Sequence, residues 1–147
     1  CGGAKPIVEK YGVPVYGSEK DATLAASASK NLWGVFCHDC KITDYVDGID
    51  SFSVGGFSFG VMKTPGHTPG GVCYFIDDIM FSGDTLFKEC VGRIDLPGGD
   101  YREMMDSLSK IALIDKNYKV YAGHEEDTDL FHEFRFNPYL SAFKRSK

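Results

Sequence analysis

Three short segments constrain this chain most, because each places a candidate metal ligand on a turn directly after an apolar run. The segments are TPGH, ending at His67, SGD, ending at Asp84, and AGH, ending at His124. The runs before them are rich in β-branched and aromatic residues, which predicts strands, and a sheet can present side chains from the turns at its edge. Imidazole and carboxylate are common ligands of zinc. The three residues are far apart in sequence, so only a fold that brings the turns together would make them one site.

The turn residues restrict how these side chains can point. Pro65 fixes its own φ, and Gly66 and Gly83 allow backbone angles that strain other residues. We therefore expect His67 and Asp84 to be held in defined orientations. Taken singly, each segment also has a simpler interpretation. A His in a Gly/Pro turn is an ordinary polar loop residue, and Asp84 could cap the turn that follows it.

Longer segments around these turns resemble the metallo-β-lactamase superfamily, and most closely its short glyoxalase II-like hydrolases. They are TPGHTPGG at Thr64–Gly71, FSGDTLF at Phe81–Phe87, VGRIDLPGGDY at Val91–Tyr101, and Asn137–Leu140. The resemblance runs from Cys1 to about Leu140. It implies an α/β (α+β) fold, the metallo-β-lactamase-like αβ/βα sandwich, in a single domain over residues 1–147 with the first part of the fold missing from this chain.

The resemblance also implies a metal centre and a reaction. His67, Asp84 and His124 would bind two zinc ions in a complete site, or iron or manganese, and Asp84 would be the carboxylate shared by both metals. Metal binding lowers the pKa of water to about 7, and the resulting hydroxide would attack the acyl carbon of a thioester or similar small acyl substrate. The implied enzyme is a metal-dependent hydrolase similar to hydroxyacylglutathione hydrolases.

The superfamily's first metal motif, HxHxDH, does not occur in residues 1–147. In the family it directly precedes a segment like Cys1-Gly2-Gly3-Ala4, so we expect this chain to be the later part of a longer protein and to be inactive alone. Two alternatives stay open. The chain could be a non-catalytic fragment or degenerate homologue that serves as a binding or assembly module. Within the family, it could be an iron-dependent persulfide dioxygenase.

The segment after His124 departs from the pattern of close relatives. They have Gly-His-Gly-Pro, whereas this chain continues with Glu125, Glu126 and Asp127. The change removes a permissive glycine and adds carboxylates beside the expected site. Glu125 or Asp127 could bind metal or repel anionic substrates; alternatively, the segment is a solvated acidic loop.

Two further motifs allow more than one interpretation. Arg93 could clamp a substrate carboxylate bidentately, or it could pair with Asp95 or Asp100 and order its own loop. Cys37-His38-Asp39-Cys40 is a single C-x-x-C without a second pair, which is a weak indication of a zinc or redox motif. We interpret it as a loop with free thiols.

Composition argues against several classes of partner. The formal net charge is -5 and no basic stripe is present, which argues against nucleic acid. No apolar run reaches the roughly 20 residues that cross a bilayer. Five Cys at irregular spacing predict a reducing, cytoplasmic compartment. We therefore expect a small-molecule substrate and neither a nucleic-acid nor a membrane partner, and leave a homo-oligomer open.

Periodicity, capping residues and turn residues predict the order of elements. The predicted helices cover residues 4–11, 18–29, 101–113 and 130–136. The predicted strands cover residues 13–16, 52–54, 57–62, 72–76, 79–81 and 120–122, with hairpin turns at Gly55-Gly56 and Asp77-Asp78. Ser18 with Asp21, and Asp100 with Glu103, resemble capping boxes that open the second and third helices. Residues 30–48 show no clear period and are expected to form a loop or lid.

Overall fold

The computed structural model describes residues 3–30 and 37–143. The chain divides into two compact units, Cys1–Gly48 and Ile49–Lys147. The helices are α1 Ala4–Tyr11, α2 Ala22–Ala26, α3 Tyr101–Ile111, α4 Leu130–Phe136 and α5 Pro138–Ser141. The strands are β1 Tyr16–Gly17, β2 Asp44–Tyr45, β3 Ser51–Val54, β4 Phe57–Lys63, β5 Val72–Ile76, β6 Ile79–Gly83, β7 Leu86–Phe87, β8 Cys90–Val91, β9 Lys119–Ala122 and β10 Thr128–Asp129.

The first unit begins as predicted and then departs from the prediction. Helix α1 ends at Gly12, which takes the left-handed conformation with a φ of 63°. The strand predicted over residues 13–16 is wrong in position, because β1 comprises only Tyr16 and Gly17. The Val15 N–H donates to the Thr43 side-chain hydroxyl at 2.8 Å and not to the backbone carbonyl of a neighbouring strand. Strand β1 pairs in parallel with β2, which lies in the segment expected to be a loop.

The helix predicted over residues 18–29 is wrong in its continuity. Asp47, not Asp21, completes the cap at Ser18, because its carboxylate accepts the Ser18 hydroxyl at 2.8 Å and the Glu19 N–H at 2.6 Å. Only α2 is α-helical, and a 3₁₀ turn flanks it on each side. Residues 31–36 of the expected loop lie outside the described residues.

The second unit is built on a six-stranded sheet with the order β10-β9-β6-β5-β4-β3. Both predicted hairpins are present: Gly55 and Gly56 turn β3 into β4 with φ values of 58° and 83°, and Asp77 and Asp78 turn β5 into β6. Strands β6 and β9 pair in parallel, and α3 lies in the connection between them. This pairing brings the ends of two strands, and the turns that follow them, side by side.

Helices α3, α4 and α5 contribute to the core against one face of this sheet. The fully buried cluster joins strand and helix residues, namely Cys73, Met80, Leu86, Met104, Leu108, Ile111, Val120, Leu130 and Leu140. Asp100 caps α3 as predicted, since its carboxylate accepts the Glu103 N–H at 2.9 Å. The helix ends at Ile111, earlier than the predicted Leu113.

The segment from Cys37 to Cys40 belongs to the first unit. The thiols of Cys37 and Cys40 are free, and the Cys40 N–H donates to the Ala25 carbonyl at 2.8 Å. The Asp39 carboxylate accepts the Ser29 N–H, which lowers the pKa of Asp39. This C-x-x-C segment is therefore a loop with free thiols, as predicted.

Among the helices of the described ranges, none has the length and apolar character needed to span a bilayer.

Candidate functional site

The turn after β4 is held against α3. Gly66 has a φ of 139°, and a Cβ at this position would overlap the backbone of Met104. The Asp100 N–H donates to the Gly66 carbonyl at 2.8 Å, and the Ser107 hydroxyl donates to the Pro65 carbonyl at 2.7 Å. The turn that carries His67 is therefore fixed by a helix terminus and by a close contact that only glycine allows.

The imidazole of His67 has a defined tautomer. Its Nδ1 lies 2.7 Å from the backbone carbonyl of Arg93. A carbonyl oxygen can only accept, so Nδ1 carries a proton, and in the neutral imidazole the lone pair is then on Nε2. Nε2 lies 3.5 Å from Oδ2 of Asp84. The ring thus presents its free lone pair on the side of the Asp84 carboxylate.

Asp84 follows β6 and lies between glycines of two other segments. A Cβ at Gly123 would overlap Oδ1 of Asp84, and a Cβ at Gly92 would overlap its backbone carbonyl. The Gly123 N–H also donates to the Gly83 carbonyl at 2.8 Å. These contacts leave no room for side chains on two sides of Asp84, so its carboxylate has a confined position.

His124 lies on the other side of the same carboxylate. Its Nδ1 is 3.3 Å from Oδ1 of Asp84, and its ring packs against the Phe87 ring with the centroids 4.6 Å apart. His67 is 21% exposed and His124 is 61% exposed. The structure therefore brings the three predicted residues together, with one imidazole on each oxygen of Asp84 and the His124 side open to solvent.

Two lysine side chains form ion pairs with the acidic segment after His124. Glu126 pairs with Lys88 at 2.5 Å, and Asp127 pairs with Lys119 at 2.9 Å. These bonds raise the pKa of Lys88 and lower the pKa of Asp127. Glu125 has a left-handed φ of 73°, and its Oε1 lies 3.9 Å from Nε2 of His124. The segment is thus a structured loop in which the glycine of the relatives' pattern is replaced by a strained glutamate.

A pocket of about 480 Å³ is lined by both His67 and His124. The residues that line it come from three separate segments and are His67, Phe87, Lys88, Cys90, Val91, Arg93, His124, Glu125 and Glu126. Phe87 and Val91 form its apolar part. The pocket is large enough for a small organic substrate.

Arg93 points its guanidinium at a neighbouring carboxylate. Its Nε and Nη2 donate to the two oxygens of Asp95 at 2.8 and 2.7 Å. This bidentate hydrogen bond lowers the pKa of Asp95 to about 2 and raises the pKa of Arg93. Of the two interpretations of Arg93, its pairing with Asp95 is thus present in the structure, and its role as a substrate clamp stays a prediction.

The donors at this site fit a divalent metal in kind and orientation and fall short in number. Two imidazoles and a carboxylate suit zinc or iron, and a His whose second nitrogen is held by a carbonyl is typical of metal ligands. Even so, the part of the chain that is described contains no group of three His, Cys, Asp or Glu side chains arranged to hold a metal ion. Each oxygen of Asp84 has one imidazole beside it. This arrangement fits a carboxylate shared between two metal ions better than it fits a closed site in which four ligands surround one metal ion.

Sequence reasoning missed three contributors to the site. The carbonyl of Arg93 orients His67, but every residue has a carbonyl, so no sequence pattern could have identified it. The Lys88–Glu126 pair joins two segments far apart in the chain. Phe87 lies inside the FSGDTLF segment, and this position next to Asp84 was the one available indication that it lines the site.

Comparison with known proteins identifies the family of this chain. The profile of the metallo-beta-lactamase superfamily matches residues 1–124. A protein of Streptococcus pyogenes serotype M6, named "Probable metallo-hydrolase", is 35% identical over 137 residues, which cover 86% of this chain and 59% of that protein. The hydroxyacylglutathione hydrolase GloC of Haemophilus influenzae is 31% identical over 149 residues, which cover 96% of this chain and 70% of GloC.

The fold is likewise similar to that of a solved metalloprotein. The structure of TTHA1623 in a di-iron-bound form aligns with a TM-score of 0.80 and 32% identity, over 95% of this chain and 71% of that one. The chain thus spans about 59% to 71% of the length of these relatives. Profile, relatives and fold agree: the chain belongs to the metallo-beta-lactamase superfamily and has its α+β sandwich fold.

Proposed function

We propose that this chain contributes part of the active site of a glyoxalase II-like, metal-dependent hydrolase that cleaves a thioester or a similar small acyl substrate. The observation that carries the proposal is the placement of His67 and His124 on opposite oxygens of Asp84 beside a pocket. The 31% identity to a hydroxyacylglutathione hydrolase supports the substrate class.

The three residues have distinct tasks in this proposal. His67, Asp84 and His124 would hold the metal, which is zinc in our proposal, with iron next because a relative is di-iron-bound. When bound, such a metal lowers the pKa of water to about 7 and polarises the acyl oxygen. The Arg93 carbonyl keeps the Nε2 lone pair of His67 available. Asp84 offers one oxygen to each imidazole.

The pocket favours a compact acyl group. Phe87 and Val91 provide apolar surface beside His124. Lys88 and Arg93 already donate to Glu126 and Asp95, so the positive charges of the lining are balanced by carboxylates. The proposed substrate therefore needs no carboxylate of its own for binding, and we expect neutral acyl thioesters to be accepted.

The test compares the 147-residue chain with an extended chain that carries an HxHxDH segment directly before Cys1. Both are assayed with a generic thioester and added zinc, iron or manganese. We expect turnover only from the extended chain. In that chain, Asp84→Asn should lower kcat at least about 10²-fold, because the charge shared by both imidazoles is lost.

Asp78→Asn is the matched control, since Asp78 is an exposed aspartate on the β5–β6 turn whose carboxylate pairs with Lys116 at 2.6 Å. Its kcat should equal that of the parent. Robust turnover by the 147-residue chain, or an active Asp84→Asn variant, would contradict the mechanism. An extended chain that binds metal but does not hydrolyse the thioester would favour a binding or assembly module. Oxygen uptake in the presence of a persulfide would favour the dioxygenase.

A further inference from the structure

Glu133 is a fully buried acidic residue of α4 and is not part of the pocket lining. Burying a carboxylate is unfavourable unless hydrogen bonds replace its hydration. Glu133 receives three such bonds. Its Oε2 accepts the Glu89 N–H at 2.8 Å and the Asn137 side-chain amide at 2.8 Å, and its Oε1 accepts the Thr128 hydroxyl at 2.6 Å.

These donors belong to three different elements. Glu89 is in the turn between β7 and β8, Thr128 begins β10, and Asn137 caps α5. The Asn137 amide also donates to the Cys90 carbonyl at 3.0 Å, so the β7–β8 hairpin is held at two points. One carboxylate thus ties together segments that are distant in sequence.

Two of these segments form walls of the pocket. The β7–β8 hairpin carries Phe87, which packs against the His124 ring, and Lys88, which pairs with Glu126. The loop of residues 123–127 carries His124 and ends at Thr128, whose hydroxyl donates to Glu133. Glu133 therefore holds both sides of the contact that confines the His124 ring.

The backbone at Glu89 shows why the carboxylate is needed. Glu89 has a left-handed φ of 56°, a conformation unfavourable for a residue with a side chain. The bond from its N–H to Glu133 offsets that strain, and a second contact joins the Glu89 carboxylate to Nε2 of His132 at 2.9 Å. The turn keeps its shape because α4 holds it.

We propose that Glu133 is a positioning residue that sets the place of the His124 imidazole relative to Asp84 by holding both the β7–β8 hairpin and the 123–127 loop. The inference rests on the proposed function only in taking His124 as a functional residue. Glu133 itself touches neither metal ligand nor substrate in this proposal.

The test uses Thr128, because a substitution at Glu133 itself could prevent folding. Thr128→Val removes one hydrogen bond to Glu133 and keeps the shape of the side chain, whereas Thr128→Ser keeps the hydroxyl. The readouts are the imidazole NMR signals of His124 and the hydrogen exchange of the backbone amides of residues 123–127. Assignment is practical because the chain has four His.

Ser18→Ala is the control for loss of a buried hydrogen bond elsewhere, since the buried Ser18 hydroxyl donates to the Asp47 carboxylate at 2.8 Å in the first unit. We expect Thr128→Val to speed exchange of the loop amides at least about tenfold, the change that follows from losing roughly 1.4 kcal/mol of local stability, and to broaden the His124 signals. Thr128→Ser should match the wild type, and Ser18→Ala should leave the His124 signals unchanged.

Two results would overturn the proposal. One is a Thr128→Val protein whose His124 signals and loop exchange equal those of the wild type. The other is a Ser18→Ala protein that loosens His124 as much as Thr128→Val does, which would indicate general destabilisation. The readouts require neither metal nor turnover, so they separate a failure of this inference from a failure of the proposed hydrolase.

Discussion

Arg93 shows how one residue can serve a site by two separate groups. Its carbonyl fixes the tautomer of His67, and its guanidinium holds the Asp95 carboxylate in a bidentate pair. The first contact belongs to the backbone and survives any substitution that keeps the loop. The second depends on the side chain and orders that loop, so the two contributions can be separated experimentally.

The Asp95 carboxyl should titrate with a pKa of about 2, well below its ordinary value of 3.8, because Arg93 donates to both of its oxygens. Arg93→Met should return the midpoint to the ordinary range. Since the pKa is lowered in the folded state, the pair stabilises the fold above the ordinary pKa and loses that effect as the pH falls towards 2. Carboxyl ¹³C NMR against pH measures the midpoint.

Arg102→Met is the control, because Arg102 lies on the exposed surface of α3. It should leave the Asp95 midpoint near 2. In Arg93→Met the imidazole ¹⁵N shifts of His67 should still report a proton on Nδ1, because the carbonyl remains. An unchanged Asp95 midpoint in Arg93→Met would show that the pair does not form in solution.

Sequence alone indicated His67, Asp84 and His124, because each follows an apolar run and a glycine, and strand ends gather at the edge of a sheet. It left the role of Arg93 undecided, because a guanidinium binds a substrate carboxylate and a protein carboxylate in the same geometry. It gave no indication that Glu133 is buried, because its burial depends on hydrogen-bond donors from three separate segments.

At the scale of elements, prediction succeeded where a pattern repeats over several residues. The two hairpins, α1, β9 and α4 were all anticipated from periodicity and turn residues. Strands β7, β8 and β10 have two residues each, too few for any alternation to show. The turn of β7 into β8 also lacks the usual glycine. Glu89 takes the left-handed position, its N–H donates to Glu133 of α4, and the Cys90 carbonyl accepts the side-chain amide of Asn137, which caps α5.

The 123–127 loop is expected to become more stable when Glu125 is replaced by glycine. Glu125 has a left-handed φ of 73°, and relief of that strain is worth roughly 1 kcal/mol for a residue with a side chain, partly offset by the greater freedom of glycine in the unfolded chain. Thermal unfolding should show a higher midpoint for Glu125→Gly than for the wild type.

Glu125→Ala separates the backbone effect from the loss of charge, because alanine removes the carboxylate and keeps the strain. We expect its midpoint to stay at or below that of the wild type. Equal stabilisation by alanine and glycine would assign the effect to repulsion among the acidic side chains instead.

At the scale of the whole molecule, three donors at the site predict weak metal binding by this chain alone. A closed zinc site uses four ligands, and no group of three is arranged around a metal position in the described ranges. Isothermal titration with zinc should give an affinity far below that of structural zinc sites, whose binding free energy is about 10–16 kcal/mol. Asp84→Asn should weaken it further.

Dialysis of the metal-loaded chain could contradict the prediction of weak metal binding. Retention of two equivalents of metal by the 147-residue chain after dialysis would show that its own donors complete the site, or that a second copy supplies the rest. Sedimentation of the metal-loaded chain distinguishes these cases, because shared ligands require a dimer.

The parallel pairing of β6 with β9 also sets the order in which this site can form. Gly83 pairs with Ala122, so Asp84 and His124 become neighbours only after the connection containing α3 has closed. Closing a long connection carries an entropic cost that later contacts must offset, and such pairings form slowly. A chain in which β6 and β9 are not yet paired therefore presents His124 without the Asp84 carboxylate. A metal that needs both residues is expected to bind only molecules in which that pair has formed.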